Sequence, residues 1–282
     1  MDQVNANPLA KHFRQPALYI KLTSGGRYWR QESLDLPATG DIPVYPMTTR
    51  DEITLRTPDA LLNGASVVNV MQSCCPNIKN AWDMPSIDVD STLIAIRIAS
   101  YGPTMSISSK CPTCSSEHDY DVDLMGVLAG ISLPDYTKTI AQDGLEIKLK
   151  PQNYRQVSEA GRLTYEEEKL VGLFSDPDMD PEVRKAEYSK HINKMIDLNV
   201  QVATNVTEYI LTEDGTKVTD AEFIKEFYSN AESTVLRAVQ EGIAATAEAV
   251  SIKPVDVNCT ECNTKFKITI DFDYASFFAR GF

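Results

Sequence analysis

Four of the six cysteines stand in two CxxC pairs, Cys111 with Cys114 in CPTC and Cys259 with Cys262 in CTEC. Thiolates are soft ligands, and two such pairs make the donor set of a structural zinc site. There four sulfurs complete a tetrahedron and leave no position open for a substrate. Residues 115–258 lie between the pairs. A Zn2+ ion held by Cys111, Cys114, Cys259 and Cys262 would therefore clasp an early segment to a late one around a long insertion. The competing reading, four reduced cysteines buried in a core without metal, stays open at this point. Cys74 and Cys75 are adjacent and read as core or helix-edge residues rather than ligands. His118, four residues after Cys114, is a substitute ligand only if a thiolate is missing.

The segments around both pairs are built for hairpins. After the first pair, Tyr120, Val122 and Leu124 alternate with polar residues; after the second, Phe266, Ile268, Ile270 and Phe272 do the same. Alternation with period two marks a strand with one buried face. Each pair therefore sits at the tip of a β-hairpin, the two tips facing each other across the metal, with Asp123 and Asp271 turned to solvent. The expected fold class is α+β: a zinc-ribbon-like pair of hairpins assembled from distant knuckles, a helical N-terminal region and a large helical insertion.

Four regions follow. Residues 1–47, rich in Pro and Gly, form an extended N-terminal arm, although ALYIKL (17–22) can equally supply an ordinary edge strand. Residues 48–150 carry helices and the first knuckle. Thr49 to Glu52 reads as a capping box, Thr57-Pro58-Asp59 as a second helix start, and 65–74 and 88–102 as apolar helices, the latter stopped by Gly102-Pro103. Arg97 inside that last helix either snorkels, pairs with a carboxylate or serves an interface. Residues 151–250 form the helical insertion, with helices over 154–174 and from 181 to about 211. The latter carries Ile192, Met195, Ile196, Val200, Val206 and Ile210 on one stripe. A turn follows at 213–215, and further helix starts fall at Thr219 and Ser229. A strand at 144–151 precedes the insertion. Residues 251–282 hold the second knuckle and an aromatic tail in which Phe272, Tyr274, Phe277, Phe278 and Phe282 either close the protein's own core or insert into a partner.

Catalytic motifs are missing. The three histidines, His12, His118 and His191, assemble no nucleophile–base pair, and no GxGxxG, P-loop, GxSxG or HExxH occurs. The run Glu166-Glu167-Glu168 reads as a solvated helix surface. The acidic cluster Asp176, Asp178, Asp180, Glu182 fails as a calcium loop, because prolines break its spacing and no Gly or bidentate Glu stands where an EF-hand needs one. The net charge of −13 argues against nucleic acid, with only Lys110, Lys265 and Lys267 near the knuckles. No apolar run is long enough for a membrane span, and the N-terminal segment does not read as a secretory signal.

The order of these motifs resembles the baseplate hub and hub-assembly proteins of contractile-tailed bacteriophages of the T-even type. Thr49, Asp51, Glu52, Leu55 and Leu61 in TTRDEITLRTPDALLNG carry the resemblance, with Arg97, Ser100, Tyr101 and Gly102 in RIASYG and Phe277 and Phe278 in the closing IDFDYASFFARGF. It extends over residues 40 to 282. It implies a non-enzymatic virion component at the hub or hub–wedge junction, contacting other baseplate and tail proteins in multiple copies around the tail axis. It also implies residence in the host cytoplasm before assembly. Two alternatives remain: a transient hub-assembly chaperone absent from the mature virion, and a zinc-ribbon nucleic-acid factor. The zinc expectation rests on the cysteines and not on the resemblance.

Overall fold

A computed structural model describes residues 7–56, 64–173, 180–270 and 277–278, with 170–173 as backbone only. Among them the architecture is mixed, with eight α-helices and small, wholly antiparallel sheets. The second helix start expected at Thr57 and the acidic residues Asp176 and Asp178 lie outside the described residues, as do Leu61, Asp271, Phe272, Tyr274 and Phe282.

The first core is organised by one helix. SIDVDSTLIAIRIASY forms α3, Ser86–Tyr101, following α1 (Thr49–Leu55) and α2 (Ala65–Cys74) and preceding the short α4 (Leu124–Gly130). Leu93, Ile94, Ala95 and Ile96 of α3 are consecutive and all fully buried, so apolar contacts surround the helix on every side. β1 (Leu18–Lys21) pairs with β2 (Asp41–Val44) and lays Ile20, Leu22, Ile42 and Val44 into the same core. The edge-strand option for ALYIKL is therefore the one the chain adopts. Asp88, fully buried in the first turn of α3, fixes the segment after β1. Its carboxylate accepts bonds from the Ser24 amide (2.7 Å), the Ser24 hydroxyl (2.6 Å) and the Trp29 indole N–H (2.9 Å).

Two helix starts fall one residue away from the sequence reading. The box at α1 is closed by Thr48 and Asp51, not by Thr49 and Glu52: the Thr48 hydroxyl accepts from the Asp51 amide, and Asp51 accepts from the Thr48 amide at 2.8 Å. Asp51 also receives Ser73 and Arg14, a convergence that fixes which of two adjacent threonines caps. Likewise Asp220, not Thr219, caps α7 (Ala221–Asn230). The start expected at Ser229 moves to Ser233, where α8 (Ser233–Val250) begins without a side-chain cap.

The insertion is less helical than expected. It contains α5 (Tyr154–Leu173), α6 (Pro181–Val206), α7 and α8, but the last three pack on a four-stranded sheet ordered β5-β6-β7-β8. Its strands are Thr139–Gln142, Leu145–Leu149, Thr207–Leu211 and Lys217–Val218. The helix expected to reach 211 stops at Val206. TEYIL pairs with β6 instead (Ile147 opposite Ile210), because its β-branched and aromatic residues suit a pleated surface as well as the helical stripe does. Ile147, Leu149, Val200, Val206, Ile210, Ile224 and Val239 form the second core. Of the apolar stripe of α6, Val200 and Val206 are buried, whereas Ile192 and Ile196 are exposed.

Candidate metal centre

Both knuckles use one backbone frame. In the first hairpin, β3 (Thr104–Lys110) and β4 (Glu117–Asp123) run in strict register from Thr104 opposite Asp123 to Lys110 opposite Glu117. The Cys111 amide donates to the Ser116 carbonyl (2.9 Å) and the Ser115 amide donates back to the Cys111 carbonyl (2.9 Å). In the second, β9 (Val255–Asn258) pairs with β10 (Lys265–Ile268). There the Cys259 amide donates to the Thr264 carbonyl (2.9 Å) and the Asn263 amide to the Cys259 carbonyl (3.0 Å). The residue after each second cysteine takes a left-handed conformation, Ser115 at φ 60° and Asn263 at φ 56°. Asn tolerates that region better than most residues, whereas Ser115 is held there against preference. Beneath the knuckles Tyr120 and Phe266 meet edge to face at 5.6 Å, locking one hairpin to the other.

This frame brings all four sulfurs together. Cys111 Sγ lies 3.6 Å from Cys262 Sγ, and Cys114 Sγ lies 3.6 Å from Cys259 Sγ. All four ligand atoms fall within 4.8 Å of one another. These are free thiols and not disulfides, whose sulfurs stand about 2.05 Å apart. A tetrahedral ion with metal–sulfur bonds of about 2.3 Å sets its sulfurs about 3.8 Å apart. The donor set fits such an ion in number, type and spacing. Cys111 and Cys259 are buried, while Cys114 and Cys262 face solvent.

The electrostatics divide the four sulfurs into two kinds. The Ser116 hydroxyl, 3.3 Å away, lowers the Cys114 thiol to about 6, and the Thr264 hydroxyl lowers that of Cys262. At Cys259 the Cys262 amide pulls the other way, yet burial and the neighbouring sulfurs hold the thiol up at about 11. Four sulfurs this close cannot all shed their protons unless positive charge sits among them. Burial, with the adjacent Cys259 and Cys111 sulfurs, raises the Tyr120 phenol, which stays a neutral O–H. His118 does not join the cluster: its Nε2 stands 4.0 Å from Glu261 of the opposite knuckle, a cross-hairpin ion pair when protonated. Cys74 and Cys75 are core residues remote from the site, and burial pushes the Cys74 thiol to about 12.

Away from the knuckles, the motif residues of the N-terminal half meet the chain's end. Arg97, 2 % exposed, donates from Nη1 to the Phe277 carbonyl at 2.6 Å, its guanidinium 5.2 Å from the Phe277 ring centroid and 5.4 Å from that of Tyr101. Tyr101 donates to Glu52 at 3.1 Å, and Ser100 accepts from the Met47 amide at 2.9 Å. Phe277 and Phe278 are both buried in the first core, so of the two fates open to the terminal aromatics these take the protein's own core. Arg14 was not legible as a partner. It donates to the Pro46 carbonyl (2.7 Å), the Ser73 carbonyl (2.7 Å) and Asp51 (3.3 Å), and nothing in its local sequence signals those contacts. Glu167 corrects another reading. It is not a solvated surface carboxylate but lies buried between α5 and α6, 2.7 Å from Lys194 Nζ and 2.8 Å from His191 Nδ1. It borders a cleft of about 510 Å³ with Leu163, Leu198 and Lys225.

The family model described as "T4 bacteriophage base plate protein" matches residues 30–279. No curated protein and no solved structure matches the chain. The matched range takes in the Arg97–Phe277 contact and both knuckles. The chain belongs to the T4 bacteriophage base plate protein family.

Proposed function

We propose that this protein is a non-enzymatic structural component of the tail baseplate, at the hub or hub–wedge junction, and that a zinc ion on Cys111, Cys114, Cys259 and Cys262 clasps its fold. The convergence of four sulfurs from two remote knuckles carries the metal half of this reading. The family carries the baseplate half. Four thiolates would fill the coordination sphere of zinc, so the ion supplies cross-linking and charge neutralisation and no open site for chemistry. The chain's own part is positional. The twin knuckle frames aim the sulfurs, the Ser116 and Thr264 hydroxyls stabilise the exposed thiolates, and the Tyr120–Phe266 contact keeps the hairpins in register.

The partners are other baseplate and tail proteins, met by several copies around the tail axis. Nucleic acid is a poor fit. Lys110 is matched by Glu117 at 3.7 Å, Lys267 stands opposite Asp256, and the chain carries a net charge of −13. Among the described residues no helix is long and apolar enough to cross a membrane. The test combines a protein inventory of purified virions with metal analysis of the isolated protein. Presence in the particle with one equivalent of zinc supports the proposal. Absence from mature particles, with complexes formed only during assembly, replaces it with the transient chaperone.

A further inference from the structure

We infer that the four-thiol site is also an oxidation site, one that closes as two disulfides across the knuckles, Cys114 with Cys259 and Cys111 with Cys262, when a peroxide displaces the metal. The inference rests on the zinc reading for its starting state, but its geometry is independent of it. Both 3.6 Å sulfur pairs run between knuckles, and each joins a solvent-facing cysteine to a buried one. An oxidant therefore meets Cys114 or Cys262 first, and a sulfur of the opposite hairpin lies 3.6 Å from each. Tyr120 and Phe266 hold the two hairpins together while the bond forms.

The chemistry balances with hydrogen peroxide as the two-electron oxidant. The Cys114 thiolate attacks one peroxide oxygen, the O–O bond breaks, and hydroxide leaves a sulfenic acid on Cys114. The Cys259 thiolate then attacks that sulfur, the S–O bond breaks, a second hydroxide leaves, and the S–S bond forms. Cys262 and Cys111 follow the same path with a second peroxide, and the zinc departs as the free dication. The consequence is specific to this topology. Disulfides within each CxxC would leave the hairpin tips joined only through the Tyr120–Phe266 contact beneath them, whereas disulfides between them preserve the tie at the tips after the metal is gone. For a protein assembled in a reducing cytoplasm and carried in a particle outside it, the clasp would become covalent in the compartment where disulfides persist.

The experiment treats the zinc-loaded full chain with hydrogen peroxide, follows zinc release with a chromogenic chelator, and maps tryptic peptides without reduction. The expected result is loss of the bound zinc together with a cross-link between the peptide that begins at Cys111 and the one that carries Cys259 and Cys262. The oxidised protein should also keep its thermal midpoint in EDTA until a thiol reductant is added. Disulfides confined within each knuckle, or sulfinic acids without a cross-link, overturn the inference and leave the zinc reading standing. A chain isolated without zinc that still forms the cross-knuckle bonds does the reverse. The double variant Cys111→Ser/Cys262→Ser retains only the Cys114–Cys259 pair and should still cross-link. If it does not fold, fragmentation of the cross-linked wild-type peptides between the two cysteines of each knuckle assigns the pairing, and Cys111 joined to Cys259 overturns the inference.

Discussion

Arg97 is a charge used as a peg. Its guanidinium lies between two aromatic rings and donates to a main-chain carbonyl 180 residues away in sequence, which ties the end of the described chain to the middle of α3. Replacement by Met keeps most of the apolar volume and removes the donor, leaving the Phe277 carbonyl buried. A charged hydrogen bond of this kind contributes about 1.5–3 kcal/mol. Arg97→Met should lower the unfolding free energy by that amount in urea titrations, with the slope unchanged. Gly102 acts through the backbone alone. At φ 89° and ψ 173° it occupies a region open essentially to glycine, and a Cβ there would meet nothing within 4 Å. Gly102→Ala should therefore cost about 1–3 kcal/mol without any steric contact, read from the same titrations. A cost near zero would mean that the end of α3 relaxes freely.

At the scale of elements, the α5–α6 pair is held by Glu167 between Lys194 and His191. Bonds from Lys194 and then His191 lower the Glu167 carboxyl below its unperturbed 4.5. A carboxylate whose folded value is depressed stabilises the fold fully above its unfolded value, and that stability is lost as pH falls through the folded one. Glu167→Gln should thus be less stable than wild type at pH 7, and the gap in urea midpoint should shrink as pH drops below 4.5. Elements were also where the sequence was most unevenly legible. The knuckles could be read because cysteine spacing and period-two alternation are local signals, and α2 and α3 because their apolar residues are dense and sharply stopped. β7 could not. Val200, Val206 and Ile210 satisfy a helical spacing, and only the presence of β6 beside TEYIL decides for a strand. Glu167 and Arg14 were missed for the same reason, since their partners stand 24 or more residues away.

Across the whole molecule, two cores share one chain, and the knuckles are formed by its two halves. If zinc joins them, its removal should be felt as partial unfolding and not as collapse, because the cores persist without it. EDTA, or Cys114→Ser, should lower the thermal midpoint by roughly 5 °C or more while much of the helical signal survives at 25 °C. Zinc affinity should also fall with pH, since protons compete for the same four sulfurs. An unchanged midpoint on complete metal removal would reduce the cluster to core packing. The convergence itself was legible only as a hypothesis from spacing. What settled the geometry was a pair of matching turns whose hydrogen bonds no local pattern announces.

The Arg97–Phe277 bond and the closure of the knuckles share a dependence on the order of synthesis. α3 and the first hairpin emerge from the ribosome early, yet their cover and their matching thiols lie in residues 255–278. Until those residues arrive, Arg97 has no Phe277 carbonyl to meet, and Cys111 and Cys114 stand as an unmatched pair. Translation halted short of Val255 would thus yield a species with its first core uncovered and only half of the thiol cluster, which limited proteolysis should tell apart from the finished chain.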